Sequence, residues 1–287
     1  MTGLRKFFPA DLPPGKTGDP GIFGPESAVW RIARERAVLA GGPAALLLQV
    51  AHPLVAEGVK AHSGFATDPL ERLRGTLDAV LTVTFGDQPQ VRGAADHVMR
   101  KHRPVRGTLP RPAGSLPAGT PYSANDPELA LWVFATLVWT AIEVTETFLR
   151  PVTGEERDAY YQDMTQMAYL FGVPDGFLPD DYPGLERYVE QQIRTALDVG
   201  EAAQSIARQI LTPDPPIVAL PLRPLPSVLA AGVLPPALRE AYNLRWRRRE
   251  RAVFAITCRA ARVLVPLLPE AARFWPHYLV ARERMGQ

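Results

Sequence analysis

Helical periodicity runs through most of this chain, and it constrains the fold more than any other feature of the sequence. In one clear example, apolar residues recur at the spacing of a single helix face, at Leu70, Leu73, Leu77, Val80 and Leu81. The alternation of apolar and polar residues that is typical of strands is nearly absent. We therefore predict an all-α fold, built as a multi-helix bundle.

The composition is that of a folded protein with a sizeable core. The chain has 287 residues, of which 46% are hydrophobic. Its 32 basic residues nearly balance its 30 acidic residues, so no overall field attracts nucleic acid, and we expect no nucleic-acid partner. Cys258 is the single cysteine, which excludes an intramolecular disulfide, favours a cytoplasmic location and excludes a metal site built from cysteines.

Proline and glycine divide the chain into an extended N-terminal arm, residues 1–24, and a single helical domain, residues 25–287. A proline-rich connector at 212–226 lies within that domain. Residues 103–122 are so rich in proline and glycine that we predict a long ordered loop or a lid. Two apolar stretches, 37–56 and 129–142, are interrupted or too short to span a membrane, so we predict buried helices and no transmembrane segment.

Histidines are the scarce chemical groups of the chain. Val91, Ala95, Val98 and His102 lie four, three and four positions apart, so we predict that His102 points inward with the apolar residues. His97 lies five positions before His102, about 140° around the helix, so the two imidazoles cannot share a ligand. A histidine on an apolar face is more often a core residue than a ligand, and the spacing alone does not decide between the two.

Arg72 and Thr76 form a second candidate pair, one helical turn apart beside an apolar stripe. A fixed cation and a hydroxyl suit an anion or a bound oxygen species. The alternative is that Arg72 forms an ion pair with Asp68 or Glu71 at the surface, and the spacing favours neither interpretation.

Other charged groups carry weaker signals. Glu143 and Glu146 resemble the carboxylates of a di-iron bundle, but the Glu-x-x-His pairs of such a site are missing, so we expect pairing with arginines. The basic run at 245–249 precedes the apolar sequence AVFAI, which predicts a solvated or carboxylate-pairing face of an amphipathic helix. The sequence contains no phosphate loop, GxSxG, HExxH or CxxC motif.

The order of several segments is more specific than any one of them: LLLQVAHPLVAEGVKAHSGF, DPLERLRGT, FGD, HRPVRG and YSANDPELALWV. Over roughly residues 24 to 260 this succession resembles the family of latex clearing protein, a rubber oxygenase, and the MpaB-type oxygenases. The resemblance implies an all-helical, globin-like core that holds one haem b. It also implies His102 as the proximal iron ligand, Arg72 and Thr76 on the distal side, and Glu57 as a catalytic base.

This sequence departs from latex clearing protein at one informative position. That protein has a lysine directly before the distal threonine, whereas this chain has Gly75. The resemblance then implies a distal iron position that is open, filled by water or occupied by a histidine such as His52. A small apolar substrate is therefore at least as good a candidate as polyisoprene.

We accordingly expect a haem-b-dependent oxygenase that uses dioxygen to oxidise an unsaturated apolar small molecule. Two alternatives stay open, because a fold does not choose between binding and turnover. One is a haem-binding sensor or carrier without catalysis, and the other is a haem-free helical protein that binds a ligand.

Overall fold

The computed structural model describes residues 9, 11–62, 69–212 and 224–287, and within these the side chains of 69–73 are excepted. The described chain is mostly helical, which confirms the all-α prediction. The first seven α-helices are α1 (Ala28–Ala33), α2 (Gly42–Ala51), α3 (Pro53–His62), α4 (Pro69–Phe85), α5 (Gln88–His102), α6 (Pro127–Phe148) and α7 (Gly154–Leu170). The others are α8 (Tyr182–Thr195), α9 (Glu201–Leu211), α10 (Leu225–Val233), α11 (Pro236–Ala241), α12 (Arg248–Leu264), α13 (Glu270–Arg273) and α14 (Pro276–Arg284). Two 3₁₀ helices span Arg36–Gly41 and Val265–Leu267.

Helix α6 lies at the centre of the fold. It begins after Asp126, whose side chain accepts a hydrogen bond from the Glu128 backbone N–H at 2.9 Å. It packs against α2, α7, α8 and α12, and its side chains at Trp132, Ala135 and Ile142 are at most 1% exposed. Because α6 is apolar on nearly all sides, it supplies core contacts to helices on every side of it.

Helix α6 is also the one helix, within the described ranges, that is long and apolar enough to cross a membrane by itself. In this structure 67% of its apolar stretch is buried inside the protein. The stretches Arg36–Ala51 and Pro53–His62 pass the same test only as a pair, and they are bent by 105°. Their burial agrees with the prediction that 37–56 and 129–142 form core helices.

The proline-rich stretch after α5 differs from its prediction. It contains two strands, β1 (Arg106–Thr108) and β2 (Pro121–Ser123), which pair antiparallel with Gly107 opposite Tyr122. The prediction that 103–122 holds no regular structure is therefore wrong at both ends of the stretch. Each strand has only three residues, which is too short to show a period of two in the sequence.

The outer parts of the chain fit the predicted organisation less closely. Residues 11–27 form no helix or strand, although Leu12 and Phe23 are buried in the core. Most of the proline-rich connector at 212–226 lies outside the described residues. From Leu225 onward the chain forms five α-helices, α10 to α14. A globin-like arrangement around haem stays a prediction.

Candidate functional site

The first part of the site is the elbow between α2 and α3. Pro53 has no backbone N–H to donate to the preceding turn, so α2 ends at Ala51 and α3 begins at Pro53. His52 lies between them with φ −76° and ψ 121°, the extended conformation that a residue before proline prefers. The chain bends by 105° at this break.

The imidazole of His52 is largely enclosed at this elbow. Its Nδ1 atom is buried and has no hydrogen-bond partner among the described residues. Burial disfavours the charged ring and lowers the pKa of His52 to about 4, although the Asp126 carboxylate partly offsets this effect. A neutral buried nitrogen without a protein partner is a group that a water molecule or a ligand atom would satisfy.

We expect His52 to make the protein sensitive to acid. Its pKa is about 4 in the folded protein, against an ordinary value of 6.5. Above pH 6.5 the ring is neutral in both states and has no effect, but as the pH falls, the unfolded chain binds the proton first. The free energy of unfolding should therefore drop by about 3 kcal/mol by pH 4 from this residue alone.

Urea unfolding at neutral pH and at pH 4 would measure this effect. The variant His52→Gln should lose about 3 kcal/mol less than the wild type over that interval. His97→Gln is the matched control, because His97 is exposed on α5. If the free energy of unfolding falls equally for His52→Gln and for the wild type between neutral pH and pH 4, the imidazole is not buried in its neutral form.

A cavity of about 340 Å³ lies beside α3 and contains the Glu57 side chain in its wall. Its volume suits a small molecule. The wall combines residues of α3, of the loop at 109–113 and of the start of α9: Pro53, Ala56, Glu57, Lys60, Leu109, Pro110, Arg111, Pro112, Ala113, Asp198, Gly200, Glu201, Ala202 and Ala203. Ala56, Leu109 and Ala203 are buried, so the inner wall is apolar.

Polar contacts hold the loop and α9 at the mouth of this cavity. Arg111 and Glu201 form an ion pair at 3.0 Å, and both side chains are mostly exposed. The Asp198 carboxylate accepts a hydrogen bond from the Gly114 N–H at 2.8 Å, while the Asp198 N–H donates to the Ala51 carbonyl at 3.0 Å. These contacts tie the loop to the α2 end of the elbow, so the mouth is polar and the interior is apolar.

Tyr122 on β2 lies close to Glu57. Burial raises the pKa of Tyr122, and the negative charge of Glu57 raises it further. A Cβ atom at Gly107, the residue paired with Tyr122, would lie 2.6 Å from the tyrosine hydroxyl, so the ribbon requires glycine there. The His62 ring packs edge-on against Tyr122 at 6.3 Å, and its Nε2 lies 3.0 Å from the Arg106 carbonyl.

The α4–α5 hairpin carries the remaining candidate residues. Asp87 in the connection caps α5 by accepting from the Gln90 N–H at 2.9 Å, and Gly86 ends α4 as predicted. Two packed helices joined by two residues run antiparallel. At a rise of 1.5 Å per residue, positions 72 and 102 each lie about 22 Å from the connection, so both are at the same end of the hairpin.

The side chains at this end are more exposed than the sequence predicts. Val91 and Ala95 are 1% and 4% exposed, which confirms the start of the α5 stripe. Val98 is half-buried and His102 is exposed, so the prediction that His102 points into the core is wrong. Spacing sets the direction of a side chain around the helix axis, but it does not determine whether another element covers that side of the helix.

The distal candidates lie on α4. Thr76 is exposed, and the backbone at position 72 is helical, while the Arg72 side chain lies outside the described residues. Gly75 is exposed, and a Cβ atom there would have no neighbour within 4 Å among the described residues. Open space therefore lies beside the position at which the resemblance places a lysine.

The chemistry of these side chains fits that of groups that bind a haem. Neutral imidazole is a common axial ligand of haem iron, and the exposed side chain of His102 is accessible to such a group. The Thr76 hydroxyl and the open space at Gly75 lie on the adjacent helix. Within the described ranges, no group of three or more His, Cys, Asp or Glu side chains could hold a bare metal ion.

The two acidic residues at the end of α6 are structural. Glu146 accepts two hydrogen bonds from the Arg157 Nη2, at 2.7 and 2.8 Å, which confirms the predicted pairing with arginine. Burial raises the pKa of Glu143, and the charge of Glu146 raises it further.

Sequence reasoning missed Tyr122, Lys60, Asp198 and Glu201 as residues of the site. Lys60 has a local signal, because it lies three positions after Glu57 on α3. Asp198 and Glu201 have none, since only the packing of α3 against α9 brings them to the cavity.

Comparison with known proteins assigns this chain to a family. The chain is 29% identical over 252 residues to uncharacterized protein Mb2261 of Mycobacterium bovis, which covers 83% of this chain and 92% of that protein. Uncharacterized protein Rv2237 of Mycobacterium tuberculosis matches with the same identity and coverage. No solved structure matches the chain. Residues 29–263, which include every candidate residue above, match the family described as ER-bound oxygenase mpaB/B'/Rubber oxygenase, catalytic domain, and the chain belongs to this oxygenase family.

Proposed function

We propose that this protein is a haem-b-dependent oxygenase that acts with dioxygen on an unsaturated apolar small molecule. The family is an oxygenase catalytic domain, which supports the reaction class. The observation that carries the proposal is the α4–α5 hairpin, whose antiparallel helices bring positions 72 and 102 to one end, with Thr76 one turn nearer the connection on α4. These are the residues that the resemblance assigns to the two sides of a haem.

His102 would hold the haem through one ring nitrogen, and a hydrogen bond from its other nitrogen would set the basicity of the ring. The group would supply the activation of dioxygen. Thr76 would donate a hydrogen bond to dioxygen, and Arg72 would add a positive charge on the same side. His52 would offer a second nitrogen donor to the group, since its buried Nδ1 has no partner among the described residues.

The cavity beside Glu57 is the proposed substrate site. Its apolar interior suits a hydrocarbon chain, and its volume of about 340 Å³ favours a small molecule over a polymer. The Glu57 carboxylate could accept a proton from the carbon next to a double bond. Lys60 in the same wall suits a substrate that ends in a carboxylate, such as an unsaturated fatty acid.

Titration with haemin, followed by spectra of the reduced protein under carbon monoxide, tests the proposal. We expect a Soret band that saturates at one haem per chain and shifts with carbon monoxide. Oxygen uptake should then follow the addition of unsaturated terpenoids or fatty acids. A colourless protein after haem-supplemented expression, with no change on titration, would contradict the proposal and favour a haem-free ligand-binding protein.

One observation favours a second candidate function. The exposed position of His102 at a helix end also suits a haem carrier or sensor, which must exchange its ligand with the surroundings. Saturable haem binding without oxygen uptake on any unsaturated substrate would favour this alternative.

A further inference from the structure

Helix α12 presents an apolar surface to solvent. Ile256, Val263 and Leu267 are 67%, 63% and 75% exposed, which is unusual for large aliphatic side chains. Together with Val253 and Ala260 they form what we call the outer face, on which positions 253, 256, 260, 263 and 267 alternate spacings of three and four. Such spacing keeps the side chains on one side of a helix. Leu267 lies in the 3₁₀ helix that directly follows α12.

The opposite side of α12 is firmly attached to the protein. Phe254 packs edge-on against Phe148 at 5.7 Å, and Gly232 on α10 leaves the space that its ring occupies. The guanidinium of Arg262 donates to the carbonyls of Glu146 at 2.7 Å and Thr147 at 3.1 Å. The opposite side of α12 therefore holds the helix in place. The exposure of the outer face is not the result of fraying at a helix end.

Positive charge is concentrated on the same helix and on the three residues before it. Residues 245–264 contain seven arginines and one glutamate, a net charge of +6, whereas the whole chain carries +2. At about 100° per residue, Arg248, Arg251 and Arg259 fall within a sector of about 80° that borders the outer face. All three side chains are exposed.

We propose that α12 docks this protein on the surface of an anionic phospholipid bilayer, with the outer face among the acyl chains and the arginines at the lipid phosphates. An amphipathic helix with a basic flank and aliphatic residues is the structure that binds such a surface. Each arginine near an anionic membrane adds to the attraction. The surface is separate from the cavity and from the haem-binding residues, so this proposal does not depend on the proposed function.

A second copy of this chain fits the outer face less well. A helix of 17 residues is about 26 Å long and about 10 Å wide, so its face offers only a few hundred Å². A stable interface buries about 800 Å² per partner. Glu250 is the only acidic residue in 245–264, so two copies would also bring their arginines together without partners.

Co-sedimentation with vesicles tests the docking surface. We expect binding to vesicles of phosphatidylcholine with phosphatidylserine, weak binding to phosphatidylcholine alone, and a decrease with rising salt. The double variant Ile256→Asp/Val263→Asp should bind at least about tenfold more weakly. The matched control is Tyr169→Asp, since Tyr169 is an exposed apolar residue on α7, at 47%, and should bind like the wild type.

Three results would overturn the proposal: no binding to anionic vesicles, equal binding to both vesicle types, or wild-type binding by the folded double variant. Circular dichroism and thermal unfolding would establish that the variant is folded, which its exposed positions favour. A dimer in solution that the double variant separates, without vesicle binding, would assign the outer face to a second copy.

Discussion

Replacing His102 with alanine should abolish stoichiometric haem binding, while the same replacement at His97 should leave it unchanged. Both imidazoles are exposed on α5, so neither variant removes a core contact. They point about 140° apart around the helix, and only His102 lies level with position 72 at the end of the hairpin, because His97 is about 7.5 Å nearer the connection. The measurement is the Soret absorbance on haemin titration of the wild type and both variants.

Free imidazole provides a second readout for the same prediction. If His102 is the axial ligand, added imidazole should restore a six- or five-coordinate spectrum in the His102→Ala variant, because the space left by the side chain admits it. A purely structural role for His102 would not produce this rescue. If His102→Ala binds one haem with an unchanged Soret band, the proximal assignment is wrong.

The ends of several helices could be predicted from the sequence because local chemistry determines them. Helix α9 spans the predicted residues Glu201–Leu211, and α4 ends at Phe85, directly before the glycine that favours a helix end. Thr153 accepts from the Glu156 N–H at 3.2 Å at the start of α7, as its capping pattern predicts. In each case the group that ends or begins the helix lies within three residues of it.

Features that depend on distant contacts could not be predicted in this way. The strands at Arg106–Thr108 and Pro121–Ser123 exist because they pair with each other across a loop, and three residues carry no period of their own. The exposure of His102 depends on which elements cover the last turn of α5, and the spacing of α5 does not record this. Of the site, the helical positions of Glu57, Thr76 and His102 are predictable, whereas the meeting of α3 with α9 around the cavity is not.

Replacing Glu57 with glutamine should lower turnover by about 10²-fold or more without weakening haem binding. The amide keeps the shape of the side chain but cannot accept a proton, and general base catalysis commonly contributes this much. Glu57 is half-buried in the cavity wall on α3 and is not among the residues proposed to hold the haem, so the haem titration should match the wild type. Oxygen uptake at saturating substrate measures the change.

The charge of Glu57 gives this prediction a check that is independent of turnover. Because that charge raises the pKa of Tyr122, Glu57→Gln should move the Tyr122 pKa back towards its ordinary value, measured by ultraviolet titration of tyrosinate. Glu190→Gln is the matched control, since that carboxylate is 67% exposed on α8 and lies outside the cavity wall. If the Tyr122 pKa shifts in Glu57→Gln while turnover stays at the wild-type level, Glu57 lies beside the tyrosine but is not the catalytic base. The reaction would then proceed without a proton acceptor at this position.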